Sequence, residues 1–170
     1  MSFSPIPKFK NVDMEVDVVR GESQSTNLSS GTRIQMPTFS LSGISYEKSD
    51  ASLSYNDIVE LPSGYSYFII AGCHGGSYSS IGDYSWIIRV QLYDEDVGAD
   101  IGSRSYYANN SSSSNGGGPA NTIQTFTRLA SCAFLPNLTS NKRLSLKLHF
   151  SNGPFRVYNY VHYTIYRIPN

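Results

Sequence analysis

The sequence predicts an all-β protein, an antiparallel β-sandwich with an extended N-terminal arm. Short runs with apolar and polar residues in alternation recur along the chain, and clusters of Gly, Asn, Ser and Pro separate them. No stretch has the period of an amphipathic helix. The composition also fits, because thirteen Tyr and eight Phe favour strands and fourteen Gly favour turns. At 170 residues, the chain is long enough for one domain with a sizeable core.

Residues 1–31 are predicted to form an attachment arm and linker, and residues 32–170 the β-sandwich. Pro5 and Pro7 favour an extended start, because each ring fixes its own backbone angle and restricts the residue before it. Strict alternation then places Val12, Met14, Val16 and Val18 on one face, and Asp13, Glu15 and Asp17 on the other. A polar, Ser-rich linker follows and ends at Gly31. The alternating strand is either an edge strand of its own domain or an anchor that adds to the sheet of a partner protein.

The strands of the sandwich are predicted, in chain order, at Ile34–Ile44, Tyr65–Gly72, Trp86–Tyr93, Phe126–Leu135, Leu144–Phe150 and Val157–Ile168. Pro37 favours an edge position for the first strand, since proline cannot donate to a sheet ladder. Tyr65–Gly72 is apolar on both faces, which favours a central position. Alternation directs Trp86, Ile88, Val90 and Leu92 inward, and Arg89, Gln91, Ser145, Lys147 and His149 outward. The segments 75–84 and 109–119 are predicted to be outer loops that face solvent.

The densest group of carboxylates lies in Asp94–Asp100, between two predicted strands. A Gly within an acidic turn is typical of a hairpin connection. Closely spaced carboxylates around a Gly could also bind calcium, although the segment lacks the EF-hand spacing. The sequence favours the hairpin and leaves the calcium site as the alternative.

The sequence lacks the spacings typical of metal and catalytic sites. Cys73, His74, Cys132, His149 and His162 are the candidate zinc ligands, but no C-x-x-C or H-x-x-x-H spacing occurs. We interpret the two cysteines as small apolar residues of the interior. No Gly-x-Ser-x-Gly elbow, Walker loop or dinucleotide-binding Gly motif is present. We therefore predict a non-enzymatic protein without catalytic residues, metal or cofactor.

Charge and hydropathy exclude two further classes of function. Lys and Arg total 13, as do Asp and Glu, so the formal net charge is zero. A sequence-independent nucleic-acid binder needs a basic face, which this balance does not favour. The N-terminus has no apolar run of a secretion signal, and no segment reaches membrane-spanning length. We expect a protein made in a cytoplasm that does not insert into membranes.

The closing strand is apolar on both faces. Tyr158, Tyr160, His162, Tyr166 and Ile168 lie on one face, and Val157, Val161, Tyr163 and Ile165 on the other. One face can fill the core of the domain, and the second needs cover of its own. That cover is either a neighbouring sheet or loop of the same domain, or another subunit, because aromatic rings are enriched in protein interfaces.

The order of these elements resembles the C1q/TNF-like jelly roll, a ten-strand sandwich whose members trimerise through aromatic-rich faces. Gly64-Tyr65-Ser66-Tyr67-Phe68 is similar to the Gly-x-Tyr-x-Phe segment of that family. Trp86–Tyr93, Leu144–Phe150 and Val161–Ile168 resemble its later strands, so the likeness covers residues 38–168. The secretion signal and the collagen-like stalk of secreted members are missing here.

Jelly rolls of this type without a signal peptide are similar to virion proteins of bacteriophages, namely capsid decoration proteins, head fibres and tail-fibre tips. The resemblance implies a homotrimer, made in the host cytoplasm and exposed on the virion. We expect its interface at Tyr158, Tyr160, His162 and Tyr166. Val12, Met14, Val16 and Val18 would anchor the arm on the major capsid protein or another virion protein. The alternatives are a head that binds a host-surface receptor or glycan through the outer loops, and a hydrolase on a β-scaffold.

Overall fold

The structure, a computed structural model, describes residues 13–19, 24–28, 30–36, 41–79, 84–111, 123–151 and 155–170. Its strands are β1 (Asp13–Val19), β2 (Gln24–Leu28), β3 (Ser45–Glu47), β4 (Ile58–Leu61), β5 (Tyr65–Ser79), β6 (Tyr84–Asp94), β7 (Ala99–Ser111), β8 (Ile123–Leu135), β9 (Lys142–Ser151) and β10 (Phe155–Pro169). The described residues contain no helix, and so none with the length and apolar character to cross a membrane.

The strands form two antiparallel sheets whose inner faces share one core. Sheet I has the order β1-β10-β5-β8, with β2 also pairing with β10, and sheet II has the order β3-β4-β9-β6-β7. Tyr67 and Ile165 of sheet I are fully buried in the same cluster as Leu92 and Leu146 of sheet II. The predicted all-β antiparallel sandwich is confirmed.

Most strand predictions are confirmed, but several boundaries were wrong. β5 is central, between β10 and β8, as its two apolar faces predicted. It continues to Ser79, and β7 continues to Ser111, so the inner ends of the predicted loops 75–84 and 109–119 are strand. The partner strands determine this, because Ser79 pairs with Ile123 and Ser111 pairs with Tyr84. The rest of these loops, 80–83 and 112–119, lies outside the described residues.

Four strands, β2, β3, β4 and β7, were missed, and β2 lies within the predicted linker. β4 has four residues, too few for alternation to be recognised. The sequence of β7 is rich in Ser, Asn and Gly, which are depleted in strands. β7 is an edge strand that pairs with β6 alone among the strands of its sheet, so tertiary pairing overrides a weak local propensity.

The predicted strand Ile34–Ile44 is replaced by a shorter extended segment along β9. Arg33 forms an isolated bridge with Lys147, and the Ile34 amide donates to the Leu146 carbonyl at 2.8 Å. Ile34 is then buried in the core. Pro37 lies outside the described residues.

The Asp94–Asp100 segment is a hairpin connection, as predicted. The Asp94 carboxylate accepts hydrogen bonds from the amides of Asp96 and Val97, at 3.0 and 3.1 Å. Gly98 has a φ of +75°, which glycine adopts at little cost. Lys142 Nζ lies 2.9 Å from Asp94 Oδ2. Within the described ranges, no group of three or more His, Cys, Asp or Glu could hold a metal ion.

One side of the sandwich is closed by hydrogen bonds between β7 and β8, which belong to different sheets. The pairing of β6 with β7 shifts register between Val90 and Leu92, and at this point β8 contacts the backbone of both strands. Ser131 Oγ accepts from that amide at 3.1 Å and donates to the Ser103 carbonyl at 2.7 Å. Gly102, with a φ of +73°, brings β7 so close to β8 that a side chain would collide with the Cys132 carbonyl oxygen.

A buried ion pair fastens the extended segment to the outer face of sheet II. The guanidinium of Arg33 donates to both carboxylate oxygens of Glu95, at 2.7 and 2.8 Å. Ser145 Oγ also donates to Glu95. Ser145 was predicted to point outward, but it is 0% exposed. The reason is that the Arg33–Glu95 pair covers it. Burial by itself raises the pKa of Glu95. The hydrogen bonds from Arg33 and Ser145 and the positive charge of Arg33 outweigh this effect, so the pKa of Glu95 lies below its ordinary value.

Gly102→Ala is expected to destabilise the protein more than Gly64→Ala. Both glycines have positive φ, at +73° and +87°, so each substitution costs roughly 1–2 kcal/mol of backbone strain. A Cβ at Gly64 meets nothing within 4 Å, whereas at Gly102 the collision with β8 adds about 1–3 kcal/mol. Urea unfolding of both variants measures the difference. Equal losses would mean that β7 does not press against β8.

Glu95→Gln is expected to lower the free energy of unfolding by about 1–3 kcal/mol, between the values for exposed and fully buried pairs, because it leaves the partly buried Arg33 without its counter-charge. Glu47→Gln is the control, since the Glu47–Arg143 pair has side chains 39% and 37% exposed and should contribute less than about 1 kcal/mol. The carboxylate of Glu95 stabilises the fold above its unfolded pKa of about 4.3, and this stability is lost as the pH falls through the lower folded pKa. Acid unfolding should therefore be less steep in Glu95→Gln than in wild type. An equal acid response would contradict this assignment.

Candidate functional site

The outer face of sheet I, which points away from the core, is the candidate interaction surface. Along β5, Tyr67, Ile69 and Ala71 are buried in the core, whereas Phe68 and Ile70 between them are partly exposed. The same alternation holds on β10 and β8. The outer face of sheet I therefore consists of the residues that lie between successive core residues along β5, β8 and β10.

Strand register arranges this face into three rows that run across the sheet. The first row is Met14–Tyr166–Phe68–Phe134, the second is Val16–Thr164–Ile70–Cys132, and the third is Val18–His162–Gly72–Ala130. We call these the outer rows. No Lys, Arg, Asp or Glu stands at any of these positions, so the three outer rows consist of uncharged residues. The next position of the same alternation on β8 is Arg128, which pairs with His74 of β5.

The first row is aromatic across three strands. The ring centroids of Phe68 and Tyr166 are 5.9 Å apart, a spacing at which tilted rings attract each other. Phe134, beside Phe68 on β8, is 58% exposed. An exposed Phe next to two partly exposed aromatic rings is costly in water, because apolar surface is stabilised by burial.

The third row contains Gly72, whose missing side chain leaves room for the ring of His162. A Cβ on Gly72 would collide with the Leu129 carbonyl oxygen and would lie 2.8 Å from Nε2 of His162. The imidazole of His162 therefore lies against the backbone of Gly72.

The structure describes part of the predicted interface and anchor residues. His162 and Tyr166 lie on the outer face, as alternation predicts. For Tyr158 and Tyr160 only the backbone is described, and the ladder with β5 is irregular between Val157 and Tyr160, so alternation does not carry the face assignment past that point. Their role as an interface stays a prediction.

The arm residues join the chain's own sheet. Met14, Val16 and Val18 are the Cα partners of Tyr166, Thr164 and His162, which is the edge-strand alternative of the two that the sequence left open. β1 is the outermost strand of sheet I, so the predicted addition to a partner's sheet stays a prediction. Val12 lies outside the described residues.

The sequence did not single out Phe68, Ile70 or Phe134, which contribute much of this face. The available signal was the double-sided apolar character of Tyr65–Gly72, which calls for cover on both faces of β5. Phe134 carried no signal, since one Phe near the end of a mixed strand is equally common inside a core.

The outer face of sheet II has the opposite character. It contains Arg89, Tyr93, Asp100, Lys147 and His149, with Lys147 Nζ 3.0 Å from the ring centroid of Tyr93. Gln91, predicted to point outward, does lie on this face but is only 2% exposed, because the longer charged side chains around it exclude water. The two outer faces of the sandwich thus differ sharply in polarity.

The described cysteines do not form a reactive site. Cys73 is fully buried, and burial raises the pKa of its thiol to about 12, so it stays protonated at neutral pH. The predicted interior position is confirmed for Cys73. Cys132 is only partly buried, and its Sγ lies 3.1 Å from Ser103 Oγ.

Strand direction separates the connections into two ends. One end of the sandwich holds the start of β1, the end of β10 and the β6–β7 hairpin. At this end Asp13 of β1 pairs with Arg167 of β10, and Asp94 of β6 pairs with Leu144 of β9. β5, β7 and β9 end, and β6, β8 and β10 begin, at the opposite end. The strand ends that flank the predicted outer loops therefore lie opposite to the start of β1.

No protein-family model matches the chain, and no curated protein matches it. Among solved structures, it is similar to the enzymatically active domain of tailspike protein 4 from bacteriophage CBA120, with a TM-score of 0.26 and 10% sequence identity. The match covers 88% of this chain and 19% of that chain. This is a weak likeness to a phage tailspike domain, and at this TM-score it carries no argument about fold or activity.

Proposed function

We propose that the chain is a non-enzymatic structural protein of a virus particle, a tailed phage, which forms homotrimers through the outer rows of sheet I. In this proposal the N-terminal arm attaches the trimer to the major capsid protein or another virion protein. The observation that carries the assembly step is the set of three uncharged outer rows with the exposed Phe134. The assignment to a virion is supported by the resemblance in sequence pattern to phage jelly-roll proteins.

The contrast between the two outer faces supports association through sheet I. Interface cores are depleted in charged residues and enriched in aromatic residues. The first outer row matches this composition, because it contains Tyr166, Phe68 and Phe134. Sheet II carries Arg89 and Lys147 on its outer face, and burying those charges costs free energy unless each is paired. A second copy that covers the outer rows buries apolar surface without burying charge.

The strand order supports the jelly-roll part of the proposal. β1-β10-β5-β8 faces β4-β9-β6-β7, apart from the short β2 and β3. Each sheet therefore interleaves strands from the first and second halves of the sequence, which is the arrangement of two Greek keys in a jelly roll.

The separation of the two ends supports the division between attachment and exposure. β1 begins at the end of the sandwich that holds the β6–β7 hairpin, opposite to the end at which β5, β7 and β9 finish. A protein attached at the start of β1 would therefore direct the far ends of β5, β7 and β9 away from the particle.

Phe134→Glu is expected to abolish self-association, because it places a charge in the aromatic row that a second copy would have to desolvate. Val97→Glu is the matched control. Val97 is 71% exposed but lies at the tip of the β6–β7 hairpin, outside the outer rows. Light scattering coupled to size exclusion gives the mass of each variant, and circular dichroism checks that both are folded. A wild-type monomer at micromolar concentration would contradict the trimer, and loss of assembly in both variants would contradict the choice of face.

Deletion of residues 1–12 is expected to leave a folded trimer that no longer decorates particles, because β1 and the outer rows remain while the leading part of the arm is lost. The paired variant Val12→Asp tests one of the anchor residues in the full-length chain. Sedimentation with particles that lack the protein measures occupancy, with wild-type protein as the reference. Normal occupancy of the truncated protein would contradict attachment through the arm.

The second candidate is a head that binds a host-surface receptor or glycan. The observation that favours it is that β5, β7 and β9 all finish at one end of the sandwich, where β6, β8 and β10 begin. Purified protein should then bind host cells, and replacing residues 112–119 with a Gly/Ser segment of equal length should remove binding while the mass of the assembly stays the same. Equal binding by both proteins would reject this candidate.

A further inference from the structure

β1 forms one edge of sheet I. Among the strands that the structure describes, it pairs with β10 alone, so no described strand takes up the N–H and C=O groups on its other side. A sheet edge presents such groups to any further strand that can pair with them. The other edges offer less room, because β3 has three residues and β7 is hydrogen-bonded to β8 where the two sheets meet.

The residues of β1 alternate between acidic and apolar positions, and the strand contains no Lys or Arg. The acidic positions are Asp13, Glu15 and Asp17, and their Cα partners on β10 are Arg167, Ile165 and Tyr163. These β10 residues are buried on the core side of the sheet, so the acidic positions lie on that side of the edge. Only one of the three acidic positions thus has a basic residue as its partner on β10.

A second copy of β1 is a poor occupant of this edge. In an antiparallel pair related by a two-fold axis, residues directly opposite each other lie on the same face of the sheet. A register centred on Val16 therefore puts Glu15 opposite Asp17 twice. Like charges directly opposite each other are destabilising, and charges that point inward at an edge prevent identical sheets from associating.

The acidic character of β1 is local. Lys and Arg total 13 in the chain, as do Asp and Glu, so a basic segment gains no general electrostatic attraction to this protein. An attraction confined to one strand edge favours a partner whose charges stand at matching positions. Such a partner has basic residues at every second position of an extended segment.

We propose that the edge of β1 accepts an extended segment of another protein in which Lys or Arg alternates with apolar residues. Backbone hydrogen bonds hold the segment on the edge, as is general for strand addition. Its basic residues stand opposite the three acidic positions, an arrangement that stabilises paired strands. Its apolar residues continue the outer rows beyond Met14, Val16 and Val18. This inference goes beyond the proposed trimer and does not depend on it, because the added strand occupies an edge and not the outer face.

The first test measures the binding of labelled peptides to the full-length protein by fluorescence anisotropy. The probe alternates Lys and Val over seven residues, the length of β1. One control peptide has Glu in place of each Lys, and two others keep every Lys but are N-methylated at alternate backbone amides, in either phase. The Glu peptide and one of the methylated peptides should bind at least about tenfold more weakly than the probe. Equal affinity for all four peptides would overturn strand addition.

The second test locates the site with two variants that lose the same charge. The first combines Asp13→Asn, Glu15→Gln and Asp17→Asn, and it should weaken binding of the Lys peptide by about tenfold. The control removes three carboxylates outside sheet I by combining Asp50→Asn, Glu60→Gln and Asp96→Asn, and its affinity should stay within about twofold of wild type. Circular dichroism checks that both variants are folded. Equal weakening in both variants would contradict a site at β1.

Hydrogen exchange of the wild-type protein gives a readout that does not rely on any variant folding. At saturating Lys peptide, amide exchange should slow in β1, because a newly paired edge is protected. Exchange in β7, the edge strand of the other sheet, should stay the same. Unchanged exchange in β1, or equal protection of β1 and β7, would overturn the proposal.

Discussion

The antiparallel ladder between β5 and β10 puts Ile165 opposite Ile69 and Tyr166 opposite Phe68. Because side chains alternate along a strand, this one register assigns the first pair to the core and the second pair to the outer face of sheet I. A slip of one residue would exchange the two sets, and the core would lose its largest side chains. The core and the candidate interaction surface thus depend on the same pairing.

The two sides of the sandwich are fastened differently around this ladder. Between β7 and β8, Ser131 bonds to the backbone of Leu92 and Ser103, and Gly102 permits the close approach of the two backbones. On the outer face of sheet II, the Arg33–Glu95 pair fastens the segment that leads into the core at Ile34. The first contact lies between the two sheets, and the second lies on the outer face of sheet II. The outer rows of sheet I contain no charged residue.

Sequence patterns predicted the elements with strong alternation and failed where partners override local preference. The alternation of Leu144–Phe150 correctly placed Leu144, Leu146 and Leu148 in the core. It could not show that Ser145 is covered, because Glu95 and Arg33 are distant in sequence and meet it only in the folded chain. For the same reason Gln91 was expected in solvent, and β7, with its weak strand propensity, was missed.

The sequence by itself determined the all-β class, the central position of β5, the Asp94–Asp100 hairpin and the two apolar faces of the closing strand. These follow from alternation and turn chemistry, which act over neighbouring residues. The tertiary structure decided that Met14, Tyr166, Phe68 and Phe134 form one row, and that Asp100 meets both Arg89 and His149. Such groupings depend on strand order and register, which bring together residues that no local pattern relates.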